Sequence, residues 1–181
     1  MKKFVFGYGS LMNAESASRA IGKKLKISDF IPCFLHGYKR GWYIKESVTF
    51  DDKNVLDVLF LDIKKEHSSK INGVLIEVNE NELSRIQARE KNYYFEDVTN
   101  LVEPKIVDAE VLVAVSKSEF QVNEDEPGLI GKRYIDMVET AAKQINLSFF
   151  DDYLKTTAST SKHQIIIGEY KFIDNEQAKY V

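Results

Sequence analysis

The sequence predicts an α+β domain with a curled, mixed β-sheet. Segments with the composition of strands outnumber those with the apolar period of helices, and the connections between them are irregular. A doubly wound parallel sheet would instead require strict alternation of strand and helix. No internal repeat, low-complexity tract or linker interrupts the sequence, so residues 1–181 are predicted to form a single domain.

The first predicted unit consists of a strand, a glycine loop and a helix. Residues 3–8 form an apolar strand that leads into the loop 7–10, Gly-Tyr-Gly-Ser. Asn13 is a suitable N-cap for a helix over residues 14–21, and Gly22 is a suitable residue to end it. Two glycines around one tyrosine at the end of a strand indicate a loop whose backbone closely approaches a bound group.

The rest of the chain is predicted to be mostly sheet. Apolar residues at helical spacing predict further helices over residues 79–90, 130–145 and 148–154. Apolar, β-branched and aromatic residues predict strands over residues 29–43, 55–63, 71–78, 93–103, 109–116 and 163–173. The polar segment 45–54, between two of these strands, is predicted to be a mobile loop.

Composition and charge argue against several classes of partner. A formal net charge of -3 does not favour nucleic acid or an anionic membrane as the main partner. Cys33 is the only cysteine, which excludes an internal disulfide and a cysteine-based zinc cluster. The apolar run at the N-terminus is too short for a signal peptide, and no segment reaches the ~20 apolar residues that span a bilayer. We therefore expect a cytoplasmic protein.

Three common kinds of catalytic site do not fit the sequence. His36, His67 and His163 are widely separated, so no metal site is expected. Ser10 does not lie in a nucleophile elbow, because Met12 occupies the position that the G-x-S-x-G motif gives to glycine. The glycine loop also lacks the Gly-Lys-Ser/Thr sequence of a Walker phosphate loop.

Glu90 is the most informative charged residue. In the predicted helix 79–90, Leu83 and Ile86 define the apolar stripe. At about 100° per residue, Glu90 falls within roughly 20° of Leu83 and 40° of Ile86, so its side chain is expected to point toward the core. Burial and the negative end of the helix dipole would both raise the pKa of this carboxyl, which suits a general acid and base near neutral pH.

The same periodicity leaves a second interpretation of Glu90 open. If the helix ends before this residue, Glu90 lies in solvent and pairs with Lys91. Arg85 and Arg89 are predicted to face away from the apolar stripe in either case.

Three features occur in an order that resembles a known family. A strand ends in "FGYGSLM", a strand "GVLIEV" leads to a helix ending in "RE", and "GKRYIDMVETAAKQ" is followed by "FFDDYL". Together they resemble the γ-glutamylcyclotransferase-like superfamily, and "FGYGSL" and "RE" are similar to its ChaC-like branch. The resemblance implies a small barrel of mixed sheet flanked by helices. It also implies release of 5-oxoproline (pyroglutamate) from a small γ-glutamyl peptide or amine, without metal or cofactor.

The resemblance also implies roles for particular residues. Glu90 takes the place of the family's catalytic acid and base. The residues implied to bind substrate are Tyr8, Gly9, Ser10, Leu11, Tyr94 and Tyr134. The spacing from Glu90 also permits Tyr93 in place of Tyr94. The segment 36–54 is only a loose equivalent of the ChaC-like pattern, which leaves glutathione specificity, and more generally the identity of the leaving group, open.

Two other functions are compatible with the same residues. One is a protein that binds γ-glutamyl compounds without turning them over. The other is an enzyme that removes a protecting γ-glutamyl group in a biosynthetic pathway. A buried carboxyl beside an anion site favours catalysis over binding alone.

Overall fold

The computed structural model describes residues 1–51 and 54–174. The strands of this part are β1 (Lys2–Gly7), β2 (Ile31–Phe50), β3 (Asn54–Val78), β4 (Tyr93–Asp97), β5 (Val102–Glu103), β6 (Ala109–Ser116), β7 (Leu129–Gly131), β8 (Gln164–Ile166) and β9 (Tyr170–Phe172). The α-helices are α1 (Ala14–Ile21), α2 (Glu80–Arg89), α3 (Lys132–Ile145) and α4 (Leu147–Lys155).

The described strands form one mixed sheet that curls into a half-barrel. The main path of the sheet runs β4-β6-β1-β3-β2-β5, while β7 pairs with β3 and β8, and β9 pairs with β2. Strand β1 lies antiparallel to β3 and parallel to β6. The predicted α+β class with a curled mixed sheet is therefore confirmed.

A long hairpin of β2 and β3 forms the largest part of the sheet. The register between the two strands shifts at residues 36–38 and again at 41–44. Gly37 supplies the positive φ of 80° at the first shift. Such irregularities bend a strand and increase its twist, which accounts for part of the curl.

The expectation of a mobile loop over residues 45–54 is wrong for most of its length. Residues 45–50 complete β2 and pair with β3, and residues 52–53 lie outside the described residues. Lys45, Ser47 and Thr49 alternate with the buried Val48 and Phe50 along this strand. A strand with one solvated face is polar in composition, so composition alone made it look like a loop.

The predicted closing strand 163–173 is also interrupted. Gly168 has a φ of 148°, which is unfavourable for residues with a side chain, and it separates β8 from β9. Asp51 forms two hydrogen bonds with this segment: its N–H donates to the Glu169 carbonyl (2.8 Å), and its side-chain carboxylate accepts from the Glu169 N–H (3.0 Å). The turn of the long hairpin thereby holds the C-terminal segment beside β2.

The predicted ends of the first helix are confirmed by their hydrogen bonds, and the second helix also has a side-chain cap. The Asn13 side chain accepts from the Ser16 N–H (2.9 Å) and caps α1, which ends at Gly22 in the left-handed conformation. Asn79 and Glu82 form a reciprocal capping box at the start of α2. None of the described helices is long and apolar enough to cross a bilayer.

Two apolar clusters lie on opposite faces of the sheet. On β1, Val5 belongs to the cluster that packs against the helices, whereas Phe4 and Phe6 belong to a second cluster formed by strands and their connections. The alternation follows from the period of two along a strand. Cys33 lies in the second cluster as a small core residue.

Arg40 connects the parts of the fold that meet behind the glycine loop. Its side chain is on β2, and the residue is only 1% exposed. The guanidinium donates hydrogen bonds of 2.8–3.4 Å to neutral acceptors, namely the carbonyls of Tyr8, Asn72 and Tyr153 and the side chains of Asn72, Thr156 and Thr157. Burial lowers the pKa of Arg40 to about 10, so the group remains a cation at neutral pH.

Replacing Arg40 should be strongly destabilising. We expect Arg40→Met to lower the free energy of unfolding by about 3 kcal/mol or more, because several buried acceptors lose their donor at once. Chemical denaturation followed by circular dichroism measures this change. The matched control is Arg133→Met, which removes an exposed ion pair with Glu169 and should cost less than about 1 kcal/mol. Equal stability of the two variants would contradict the role given to Arg40.

Candidate active site

Two adjoining hollows lie at the end of β1. The first, called the loop pocket, is lined by Phe6, Gly7, Tyr8, Gly9, Ser10, Leu11, Leu61, Glu90, Tyr93, Ala114 and Tyr134. The second, called the aromatic cleft, is lined by Ser10, Ser16, Arg19, Glu46, Phe60, Arg89, Glu90, Tyr93, Tyr134, Met137, Tyr170 and Phe172. The two hollows share Ser10, Glu90, Tyr93 and Tyr134, so they adjoin each other around these residues.

The two glycines of the loop are required by close contacts. A Cβ atom on Gly9 would lie 2.9 Å from the Tyr134 hydroxyl, and one on Gly7 would lie 2.9 Å from the Leu11 Cβ. The following turn is closed by the Met12 N–H, which donates to the Gly9 carbonyl (2.9 Å). The N–H groups of Ser10 and Leu11 precede this first hydrogen bond, as at the start of any helical turn.

Tyr8 is held by hydrogen bonds of both its side-chain hydroxyl and its backbone carbonyl. Its hydroxyl donates to the Ala114 carbonyl (2.9 Å) and lies 3.3 Å from the Asp62 carboxylate, while its own carbonyl accepts from Arg40 (3.1 Å). The predicted site residues Tyr8, Gly9, Ser10 and Leu11 therefore all line the loop pocket, on a backbone that the core holds in place.

Asp62 is a buried carboxyl that the sequence analysis missed. It lies on β3 and accepts hydrogen bonds from Tyr8 and from the N–H and hydroxyl of Ser116. Burial raises the pKa of Asp62, although these hydrogen bonds oppose the shift. A single acidic residue inside the apolar strand sequence "VLFLDI" was the signal that could have identified it.

Glu90 lies immediately after α2 and points into the site. Its N–H donates to the Ile86 carbonyl (2.8 Å), so the helical path continues to this residue, and its side chain is only 15% exposed. Lys91 contacts Asp174 instead of Glu90. The Glu90 side chain therefore points inward although α2 ends one residue earlier, at Arg89. The alternative interpretation, in which Glu90 lies in solvent and pairs with Lys91, is wrong.

The surroundings of Glu90 favour its protonated form. Burial raises the pKa of this carboxyl, the Arg89 guanidinium lowers it, and the negative charge of Asp62 raises it further. The net direction is upward, because burial is the largest of the three effects. A carboxyl shifted in this direction can both accept and donate a proton near neutral pH.

The prediction that Arg89 faces away from the core is wrong. Its side chain is only 9% exposed, its Nη2 donates to the Ser10 hydroxyl (2.9 Å), and its Nε lies 3.4 Å from a Glu90 carboxylate oxygen. The Arg89 Nη1 is buried and has no hydrogen-bond partner among the described residues. A long side chain can cross from the flank of a helix to a neighbouring element, which Cβ direction alone does not show.

The tyrosine after Glu90 that enters the site is Tyr93. It lines both hollows and packs against the helix-side apolar cluster. Tyr94, which was named as a site residue, is 45% exposed and lines neither hollow, because successive strand residues point to opposite faces. Tyr134, on α3, lines both hollows as expected. Burial raises the pKa of Tyr93 and of Tyr134, which keeps both phenols protonated at neutral pH.

Comparison with known proteins shows similarity in structure but not in sequence. No protein-family model and no curated protein sequence matches this chain. YkqA from Bacillus subtilis is 19% identical with a TM-score of 0.61 over 85% of this chain and 53% of YkqA, so the chain spans about half the length of that protein. The human protein loc79017 is 15% identical, with a TM-score of 0.61 over 87% of this chain and 89% of the human protein.

A third solved structure has a functional name. It is a γ-glutamyl cyclotransferase that is 13% identical, with a TM-score of 0.61 over 92% of this chain and 94% of that protein. At such identities the likeness concerns the fold. The chain therefore has the γ-glutamylcyclotransferase-like fold that its motifs indicated.

Proposed function

We propose that this protein is a γ-glutamyl cyclotransferase that releases 5-oxoproline from a small γ-glutamyl peptide or amine. The observation that supports this most directly is the position of Glu90. Its carboxyl is buried, has a raised pKa and stands where the loop pocket meets the aromatic cleft. A substrate that fills both hollows would place its amide bond beside this carboxyl.

In this proposal the glutamyl group occupies the loop pocket. Its α-carboxylate binds the N–H groups at the start of the turn and the Ser10 hydroxyl. Because Ser10 accepts a hydrogen bond from Arg89, its own proton is available for an anion, and the nearby guanidinium adds positive charge. Gly9 allows the backbone to approach closely, since no side chain fits between it and Tyr134.

The reaction requires no external nucleophile. The α-ammonium loses a proton to Glu90, and the free amine attacks the side-chain carbonyl of the same glutamyl group. A new C–N bond closes the five-membered ring, and Glu90 returns its proton to the leaving nitrogen as the bond to the leaving amine breaks. The ring nitrogen then gives up its second proton through Glu90 to the released amine, which departs as an ammonium. No water is consumed. Holding the chain folded for ring closure can contribute ~7 to 11 kcal/mol to lowering the barrier.

The protonated tyrosines suit the tetrahedral intermediate. Tyr93 and Tyr134 line both hollows together with Glu90, and their raised pKa values keep a donor proton on each hydroxyl. A phenol hydroxyl can donate to the oxyanion that forms at the attacked carbonyl. Glu90, whose pKa is raised, can exchange protons without an additional base.

Substitution of Glu90 tests the proposed reaction. We expect Glu90→Gln to lower kcat for 5-oxoproline release by about 10²- to 10⁴-fold, because the amide can neither accept nor return the proton. Mass spectrometry of the products from γ-glutamyl dipeptides, glutathione, γ-glutamyl-lysine and γ-glutamylamines measures the rate.

The matched control for this test is Glu119→Gln, which makes the same change at an exposed position and should leave the rate unchanged. Unchanged 5-oxoproline release by Glu90→Gln on every accepted substrate would refute the mechanism. Tight binding of γ-glutamyl compounds by the native protein without any product would instead favour a binding protein.

The acidic limb of the pH profile should depend on Arg89. Since the Arg89 charge lowers the pKa of Glu90, Arg89→Gln removes this effect and should raise that pKa further. Catalysis begins with the carboxylate form, so the acidic limb of kcat/KM should move to higher pH, with a smaller shift for Arg89→Lys. Arg85→Gln removes a charge on the same helix that is not among the influences on the Glu90 pKa, and it serves as the control. An acidic limb that does not move in Arg89→Gln would exclude this coupling.

A further inference from the structure

The part of the aromatic cleft beyond Glu90 is formed by four rings. Phe60 is at their centre: its ring centroid lies 4.9 Å from that of Tyr134, 5.6 Å from that of Tyr170 and 5.3 Å from that of Phe172. Tyr134 and Tyr170 meet Phe60 edge to face, whereas Phe172 stacks on it. The four rings line the cleft together, with the side chains of Tyr170 and Phe172 only partly buried.

Three separate parts of the chain supply these rings. Phe60 lies on β3, Tyr134 on α3, and Tyr170 and Phe172 on β9. Strand β9 is held in place by its pairing with β2, in which Phe172 is opposite Val48. The rings come from segments that are distant in sequence, so the tertiary fold, and not one strand or helix, brings them together around the cleft.

Each charged side chain of the cleft contacts another residue of the chain. Arg19 pairs with Glu15 (2.6 Å), and both carboxylate oxygens of Glu46 lie 2.9–3.0 Å from the Asn92 amide nitrogen that donates to them. Arg89 is held at the other end of the cleft, beside Ser10 and Glu90. Apart from Arg89 and Glu90, which the proposal places at the glutamyl end, the charged residues that line the cleft are Arg19 and Glu46, whose formal charges cancel. The cleft therefore has no net charge that would select an ionic leaving group.

We infer that the leaving amine of the substrate carries a flat apolar group, preferably an aromatic ring, which packs against Phe60, Tyr170 and Phe172. This inference rests on the proposed function, because it assumes that the glutamyl group fills the loop pocket. The scissile amide then lies at Glu90, and the leaving group extends into the other hollow that shares this residue. The substrate class is γ-glutamyl derivatives of aromatic amino acids or aromatic amines.

The chemistry of the rings supports a flat partner. Aromatic side chains attract other rings in edge-to-face and offset stacked arrangements beyond the effect of apolar burial. A ligand ring would cover the exposed parts of Tyr170 and Phe172, which now meet solvent.

Two substrate pairs test this inference on the native protein. γ-Glutamyl-phenylalanine is compared with γ-glutamyl-alanine, and γ-glutamyl-phenethylamine with γ-glutamyl-ethylamine; each pair differs only in the ring. We expect kcat/KM for 5-oxoproline release to be about tenfold or more higher for the ring-bearing member of both pairs. The first pair retains a leaving-group carboxylate and the second lacks one, so recognition of a carboxylate does not affect either ratio.

A variant then assigns the preference to the cleft. Phe172→Leu retains apolar bulk but removes one ring, and it should reduce both ratios about threefold or more, mainly through KM. Phe34→Leu makes the same change on β2, at a half-buried residue outside the cleft, and should leave both ratios unchanged. Thermal denaturation of each variant verifies that it is folded.

The possible failures are distinguishable. Turnover of all four compounds with ratios near one, or faster turnover of γ-glutamyl-lysine, would overturn the inference and leave the proposed function intact. Ratios that persist in Phe172→Leu would overturn the assignment to these rings. Absence of 5-oxoproline from every compound would overturn both the inference and the proposed function.

Discussion

The candidate site depends on one buried cation. Arg40 has no carboxylate partner among its described hydrogen bonds; it donates instead to carbonyl, amide and hydroxyl oxygens of the loop after β1, of β3 and of the end of α4. Desolvation of a guanidinium is costly, and only a complete set of acceptors offsets it. Because one acceptor is the Tyr8 carbonyl, the hydrogen bonds that satisfy the cation also fix the backbone of the glycine loop. The close approach of Gly9 to Tyr134 follows from that fixed path.

A second constraint acts on the chemistry. Two carboxyls, Asp62 and Glu90, and one guanidinium, Arg89, influence each other in a region with little solvent. The Asp62 carboxylate accepts hydrogen bonds from Tyr8 and Ser116. The Glu90 carboxylate, in the described part of the chain, has only the longer contact of 3.4 Å with the Arg89 guanidinium. The two acids therefore differ in surroundings: one is tied into the core, and the other faces the cleft, where a substrate proton could reach it. Different environments of this kind separate structural from reactive carboxyls.

The two hollows of the candidate site are lined by different parts of the fold. Six consecutive residues, 6–11, at the end of β1 and in the glycine loop line the loop pocket, whereas the aromatic cleft takes most of its rings from the long hairpin, α3 and strand β9. Three solved structures have a similar fold at 13–19% identity. Segments that contribute side chains to a cleft can vary without loss of the fold, since their backbone pairing does not depend on which side chains they present.

The sequence by itself determined the features that depend on neighbours along the chain. The cap at Asn13 and the strand and loop before α1 follow from local hydrogen bonding and composition. The helical period made an inward Glu90 one of two interpretations, and the fold selected between them. Tertiary structure decided the rest. The period of two along a strand predicts that Tyr93 and Tyr94 face opposite sides of the sheet. The pairing of β4 with β6 then decides that Tyr93 is the one that faces the cleft. The burial of Arg89, the hydrogen bonds of Asp62 and the cluster of rings from β3, α3 and β9 each arise from contacts between residues distant in sequence.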